Sequence, residues 1–371
     1  MKYYIIAGEA SGDLHGANLI KAIKEKDSQA IFRCWGGDLM QAQGAEIVKH
    51  YRDLAFMGFI EVVKNLPTIT KNIKFCKADI LQFAPDVVIF IDYPGFNLRI
   101  ASFAKQHHFK TVYYISPQIW AWKQSRVHQI KRDIDKMLVI LPFEKEFYER
   151  FDCQVDFVGH PLLDAIQNLN KTDESWRQKN DLSDKPIIAL LPGSRKQEIN
   201  TMLPIMLSVA KDFQDYQFVV AVAPGQELNF YQPFTENYPV KLVQGKTYEL
   251  LQNAHAALVT SGTATLETAL FNVPEVVCYK GSKISYEIAK RIIKVKYISL
   301  VNLIMDKLVV KELIQDELNT KNITVHLNEI LDSNKRPQLL ADYQLLKEML
   351  GGPGASQRAA DKIVSFTKEG K

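Results

Sequence analysis

The most constraining feature of this chain is an alternation that occurs twice along its length. Short runs rich in Val and Ile alternate with stretches of helical period. In the first series the strand candidates are 3–7, 30–34, 86–91, 111–115, 136–141 and 155–158. In the second they are 186–191, 217–222, 241–243, 256–260 and 275–278. Helical stretches fall between them, at 16–26, 68–83, 199–213, 263–271 and 285–294. Near-continuous apolar strands separated by helices predict parallel sheets covered on both faces. Each series is about the size of one doubly wound domain, so the expected class is α/β, with two Rossmann-like parallel-sheet domains facing a central cleft. The polar stretch 169–185 predicts the break, giving domains 1–168 and 169–354. The tail after Leu308 carries no strong strand signal and reads as successive helices. A Gly-Gly-Pro-Gly run at 351–354 precedes the last of them, 355–367.

Composition narrows the function classes. Of the 371 residues 47% are hydrophobic and 24% charged, which excludes disordered and fibrous chains. The balance of 46 basic against 42 acidic residues is too mild to imply nucleic-acid binding. Cys34, Cys76, Cys153 and Cys278 have no C-x-x-C spacing, so they read as small buried side chains with neither a zinc site nor a disulfide frame. Met1 leads at once into a strand-like run, with no signal-peptide pattern, and no apolar run reaches the ~18–20 residues of a spanning helix.

In doubly wound sheets ligands bind where strands end, and four strand-end loops carry the informative residues. The first, Ala7–Gly16, presents Glu9, Ser11, Gly12, Asp13 and His15, either as a ligand loop or as a tight turn with a solvated carboxylate. The second places Asp92 at the end of the apolar run VVIFI, either as a general base whose proton affinity is raised by its surroundings or as a helix cap. The third, LLPGSRKQEI, puts Gly193, Ser194 and Arg195 at a helix start, where free N–H groups and a guanidinium suit a diphosphate. Its plainer reading is a βα turn with an exposed Arg. The fourth, TSGTATLETAL, offers Ser261, Gly262, Thr263, Thr265 and Glu267, either as a second grip on the same nucleotide diphosphate or as an ordinary N-cap with an acidic first turn.

Three imitations drop out. The Gly245-Lys246-Thr247 triplet lacks the earlier glycine of a P-loop, having Val240 there. Asp133-x-Asp135 sits among basic neighbours, as a solvated helix end does. Ser11 is not in a G-x-S-x-G elbow. One further stretch, Leu54–Pro67, clusters Phe56, Met57, Phe59 and Ile60 ahead of Lys64, Lys71, Lys74 and Lys77. It reads as an amphipathic core helix or as a patch that docks on anionic lipid.

The motifs AGEASGD, MGFIEV, IDYPGFN, SPQIWAW with KxxRV, LPFE, FVGHPL, LLPGSR, SGTATLE, SLVNL and GGPGASQRAA occur in that order from residue 7 to residue 360. In this the chain closely resembles the lipid-A-disaccharide synthase family, inverting glycosyltransferases of the GT-B fold. The resemblance implies transfer of 2,3-diacylglucosamine from its UDP donor to 2,3-diacylglucosamine 1-phosphate. The products would be the β-1,6 disaccharide 1-phosphate of lipid A biosynthesis and UDP. It also implies no metal or other cofactor and peripheral work at the cytoplasmic face of the inner membrane, with the oligomeric state, a homodimer included, left open.

Matched position by position, Asp92 corresponds to the family's base and Glu9 to the glutamate of its first loop. Arg195, Glu267 and Asn302 correspond to donor-side residues. Asp13 and His15 remain rivals to Asp92, because other inverting GT-B enzymes place their base in the first βα loop. Two departures from the family pattern are Gly95, where some members carry a second acid, and Val301, where others carry Pro. The last helix is expected to cross back to the first domain. The alternatives are another GT-B enzyme, such as a UDP-sugar 2-epimerase or a peptidoglycan glycosyltransferase, and a non-catalytic two-domain sugar-binding protein. The ordered motifs and the apolar 54–67 stretch argue against the first, and the missing signal peptide argues against the second.

Overall fold

The structure is a computed structural model and describes residues 1–54, 66–167, 169–173, 175–282, 286–287, 290–291 and 295–369. The chain folds as two compact units, Met1–Gln167 with Leu350–Lys371, and Asn168–Met349.

The first unit is built on seven parallel strands, β1 (Lys2–Ala7), β2 (Ile31–Gly36), β3 (Glu46–His50), β4 (Val87–Ile91), β5 (Lys110–Tyr114), β6 (Lys136–Val139) and β7 (Asp156–Phe157). Their order across the sheet is β3-β2-β1-β4-β5-β6-β7, so the direction of winding reverses between β1 and β4. That reversal is where a doubly wound sheet opens a crevice at its carboxyl edge. The run VVIFI forms β4, paired on both sides and buried along its whole length, which is why it shows no polar alternation. One buried polar cluster in this unit is well partnered. The Tyr4 hydroxyl donates to Asp79 at 2.7 Å and accepts from the Trp35 indole at 2.8 Å, while Arg33 forks onto the same Asp79.

The last helix, Ala355–Lys368, belongs to this unit. Asp164 accepts from the backbone N–H groups of Gly354, Ala355 and Ser356 at 2.6, 3.2 and 2.8 Å, which caps the helix start. Gly351, Gly352 and Gly354 take φ values of +83°, +65° and +95°, a region costly for other residues. Arg358 donates to the carbonyls of Val158, Gly351, Gly352 and Pro353 and so clamps that turn. The GGPGASQRAA motif is thus a structural joint.

The second unit holds six parallel strands, β8 (Ile187–Leu191), β9 (Gln217–Val222), β10 (Val240–Gln244), β11 (Ala254–Thr260), β12 (Glu275–Tyr279) and β13 (Lys311–Ile314), ordered β10-β9-β8-β11-β12-β13. Alternate residues of β8 feed separate cores on the two faces, Ile188 and Leu190 on one, Ile187, Ala189 and Leu191 on the other.

Two differences from the sequence reading have physical reasons. The first helix spans Ala10–Lys26, so the expected loop 7–16 shrinks to Gly8–Glu9, and Asp13 and His15 lie on a buried helix face. β3 and β13 escaped notice because they are short edge strands with polar ends, EIVKH and KELI, the usual composition of sheet edges. The tail after Leu308 is therefore not wholly helical. Of the expected helix 285–294, most lies outside the described residues.

Candidate active site

In the second unit a pocket of about 670 Å³ opens at the carboxyl ends of β8, β9 and β11. It is lined by Gly193, Ser194 and Arg195 after β8 and by Ser261, Gly262, Thr263 and Glu267 after β11. The two loops picked out by sequence therefore do converge. Glu267 is mostly buried and accepts a hydrogen bond from the Tyr248 hydroxyl at 3.0 Å; burial raises its pKa against that bond. One of its oxygens is thereby oriented by the protein.

Several details depart from expectation. Two loop amides just before the 196–207 helix are already taken, because Glu198 accepts from the N–H groups of Ser194 and Arg195 at 3.1 and 3.2 Å. The Arg195 guanidinium lies 3.5 Å from the same carboxylate, with its side chain 62% exposed. Thr265 does not line the pocket, being fully buried with its hydroxyl donating to the Gly262 carbonyl at 2.9 Å. Asn302 likewise does not line the pocket. Its amide donates to Val310 O and Glu312 and accepts from the N–H groups of Val309 and Val310, which exhausts its capacity. Glu312 in turn accepts from the N–H groups of Ile298 and Ser299, and Ser261 donates to the Ile298 carbonyl at 2.9 Å. The SLVNL motif thus buttresses the pocket wall from behind.

Pocket residues that sequence reasoning missed include Gly245, Thr247 and Tyr248. Gly245 and Thr247 belong to the triplet set aside as a false P-loop. The signal that would have found them is position, since they follow β10 in the same sheet.

In the first unit Asp92 stands at the carboxyl end of β4. Asp92 and Tyr93 both have left-handed backbone, with φ of +43° and +49°, a strained arrangement for non-glycine residues. The strain is held by a fully buried Asn97, whose amide donates to the carbonyls of Ile91 at 3.2 Å and Asp92 at 2.7 Å, and by the Tyr113 hydroxyl, which donates to Asp92 O at 2.6 Å. Pro94 starts the following helix, with its φ already suited to that place. The Asp-x-Pro-x-Phe-Asn pattern therefore holds Asp92 in this turn at the strand end. Asp92 is not the helix cap, a place taken by Tyr93. Its carboxylate is accessible yet densely surrounded, and burial, with the Glu9 charge second, pushes it up to about 6.

Glu9 is the exposed N-cap residue of the first helix, with no capping bond from its side chain. Gly8 beside it is obligatory, since a Cβ there would come within 2.4 Å of the Tyr93 ring. Ser11 is exposed and Gly12 buried in that helix. Asp13 is buried and accepts from the N–H groups of Gly37, Leu39 and Met40 at 2.8, 3.1 and 3.1 Å, capping the Asp38–Ala42 helix. A carboxylate so committed is a structural cap, which weighs against it as the base. His15 is buried, and desolvation pulls its pKa down to about 4 against the opposing charge of Asp164. A histidine that is neutral and enclosed is poorly placed to take a proton from a substrate.

All four cysteines are buried and free. Among the described residues no group of three or more His, Cys, Asp or Glu is arranged to hold a metal, and no helix is long and apolar enough to cross a membrane. The patch residues Phe56, Met57, Phe59 and Ile60 lie outside the described residues.

Two parallel α/β units, each with ligand-type residues at its strand ends, are the two domains of the GT-B fold. The UDP-GlcNAc 2-epimerase of Neisseria meningitidis, solved bound to UDP-GlcNAc, superposes with a TM-score of 0.71 at 13% identity, covering 98% of this chain and 100% of that one. The calicheamicin glycosyltransferase superposes with a TM-score of 0.60 at 16% identity, over 100% of this chain and 98% of that one. Within that class the chain belongs to the lipid-A-disaccharide synthase family, whose model matches residues 3–362. It is 37% identical over 372 residues to the lipid-A-disaccharide synthase of Trichlorobacter lovleyi and 39% identical over 373 residues to that of Syntrophus aciditrophicus. Each alignment covers 98% of this chain and 97% of the relative. It is accordingly a glycosyltransferase of lipid A disaccharide synthesis.

Proposed function

We propose that this chain joins the 2,3-diacylglucosamine of a UDP donor to the 6-hydroxyl of 2,3-diacylglucosamine 1-phosphate, with Asp92 as the general base. The observation that carries the assignment is Asp92 itself: a carboxylate pushed up to about 6, held in a strained turn at a strand end. A base poised near the working pH combines a large ionised fraction with a useful proton affinity. The acceptor hydroxyl oxygen attacks C1 of the donor sugar, its proton passes to Asp92, and the C1–O bond to UDP breaks. A single displacement inverts the anomeric centre, turning an α-linked donor into a β-linked product.

The pocket of the second unit is the proposed UDP seat. Glu267, with one oxygen held by Tyr248, would accept from ribose hydroxyls through the other. Arg195 would neutralise the departing diphosphate. Its present contact with Glu198 is long and exposed, and such pairs contribute only ~0–1 kcal/mol, so exchanging it for a diphosphate costs little. The apolar 54–67 stretch is the proposed contact with an anionic membrane surface.

Release of UDP and formation of disaccharide with the purified chain and both diacylated substrates test the reaction. Asp92→Asn keeps the shape of the side chain and removes its basicity. Its turnover is expected to fall ~10²-fold or more while UDP binding stays nearly intact, because the lost interaction belongs to the transition state. A variant keeping more than about a tenth of wild-type turnover would move the base elsewhere.

A further inference from the structure

The SPQIWAW-KxxRV stretch is used neither by the UDP pocket nor by Asp92. It follows β5, running through a short helix, Ile119–Trp122, into the helix Arg126–Asp133, and so stands on the same strand edge as Asp92. The link is close: the Tyr113 hydroxyl donates to the Asp92 carbonyl, and the charges of both Asp92 and Arg126 bear on it.

Trp122 is 49% exposed and carries two cations on one indole, Lys123 Nζ at 4.9 Å and Arg126 Cζ at 5.6 Å from the ring centroid. Among the described residues neither cation has a carboxylate partner. Several surface cations of this unit do pair with a carboxylate, Arg132 with Asp133, Arg52 with Asp38 and Lys362 with Asp156. Two unpaired positive charges gathered on one ring repel each other, so the arrangement favours the arrival of an anion of high charge. An Arg fork beside a Lys point charge suits a phosphate monoester.

We propose that Lys123 and Arg126, held together by Trp122, seat the anomeric phosphate of the acceptor. The inference rests on the acceptor reading above. That phosphate and the attacking hydroxyl belong to one sugar, so the cations that hold it must share a strand edge with the base.

The test uses the full chain, the UDP donor and two acceptors, diacylglucosamine with and without its 1-phosphate. Wild type should prefer the phosphorylated acceptor. In the Lys123→Gln/Arg126→Gln variant that preference should fall by ~10-fold or more through the acceptor KM, while the donor KM and kcat hold. Trp122→Phe should retain the preference and Trp122→Ala lose part of it. Thermal melting confirms that the variants are folded. The proposal is overturned if wild type shows no preference or if the double variant keeps it. It is also overturned if the variant loses binding to anionic phosphatidylglycerol vesicles while its acceptor preference survives, since the cations would then serve lipid headgroups. Failure of wild type to form disaccharide with either acceptor sinks the reaction assignment itself, and the phosphate seat with it.

Discussion

Asp92 and Glu275 are both acids in dense surroundings, and what separates them is access. Asp92 reaches solvent, and its carboxyl, at about 6, stays free to titrate during turnover. The profile of kcat/KM should therefore lose activity on the acid side with an apparent pKa near 6. Glu9 is the second cause of that elevation and acts by its negative charge. Glu9→Gln should accordingly move the acid limb to lower pH, and a limb that stays in place would assign it to another group. Glu275 is fully enclosed on β12, with no partner for either oxygen among the described residues, and burial pushes it well above the carboxylate range. A folded-state pKa above the unfolded one gives stability that is fully present below the ordinary Glu value and is lost as pH rises through the window above it. Glu275→Met should thus stabilise the second unit at pH 7 by ~1–3 kcal/mol, with a smaller gain near pH 4.5. A melting temperature no higher than wild type at pH 7 would mean the carboxyl has found a partner.

At the scale of elements, the C-terminal helix shows how a motif that looks functional can be a joint. Asp164 supplies the only side-chain acceptor for three successive N–H groups of Gly354, Ala355 and Ser356 among the described residues. Asp164→Ala removes a cap and strands buried donors, so it should destabilise the first unit by ~1–3 kcal/mol. Thermal melting measures the loss, and faster proteolysis after residue 350 would localise it to this helix; unchanged melting would show the cap to be dispensable. The same element was legible in the sequence as a helix behind a Gly-Pro break, whereas its fastening depended on a residue about 190 positions away. The opening of the first helix was less legible. Gly12 looked like a loop residue, and only the neighbouring packing shows that it lies within a helix.

Across the whole molecule, the proposed membrane contact is the broadest expectation. Replacing Phe56, Met57 and Phe59 with Ser should weaken binding to anionic vesicles, since each inserted apolar side chain is worth ~1.5–3 kcal/mol at full burial. Sedimentation with vesicles measures it, and a variant that unfolds instead would show the stretch to be core. The sequence by itself determined the class of fold, because strand and helix periods are local and repeat twice. It also singled out the strand ends whose loops line the pocket of the second unit, and the strand end that carries Asp92. Tertiary structure alone decided where each of those side chains points. Asn302 and Thr265 turned inward to satisfy backbone groups, Asp13 became a cap for a helix some 25 residues on, and Tyr248 joined the pocket from a strand end that carried no recognised motif. The reason is physical: a polar side chain goes to whichever buried donor or acceptor would otherwise be unpaired, and that partner is known only once the distant segments have packed.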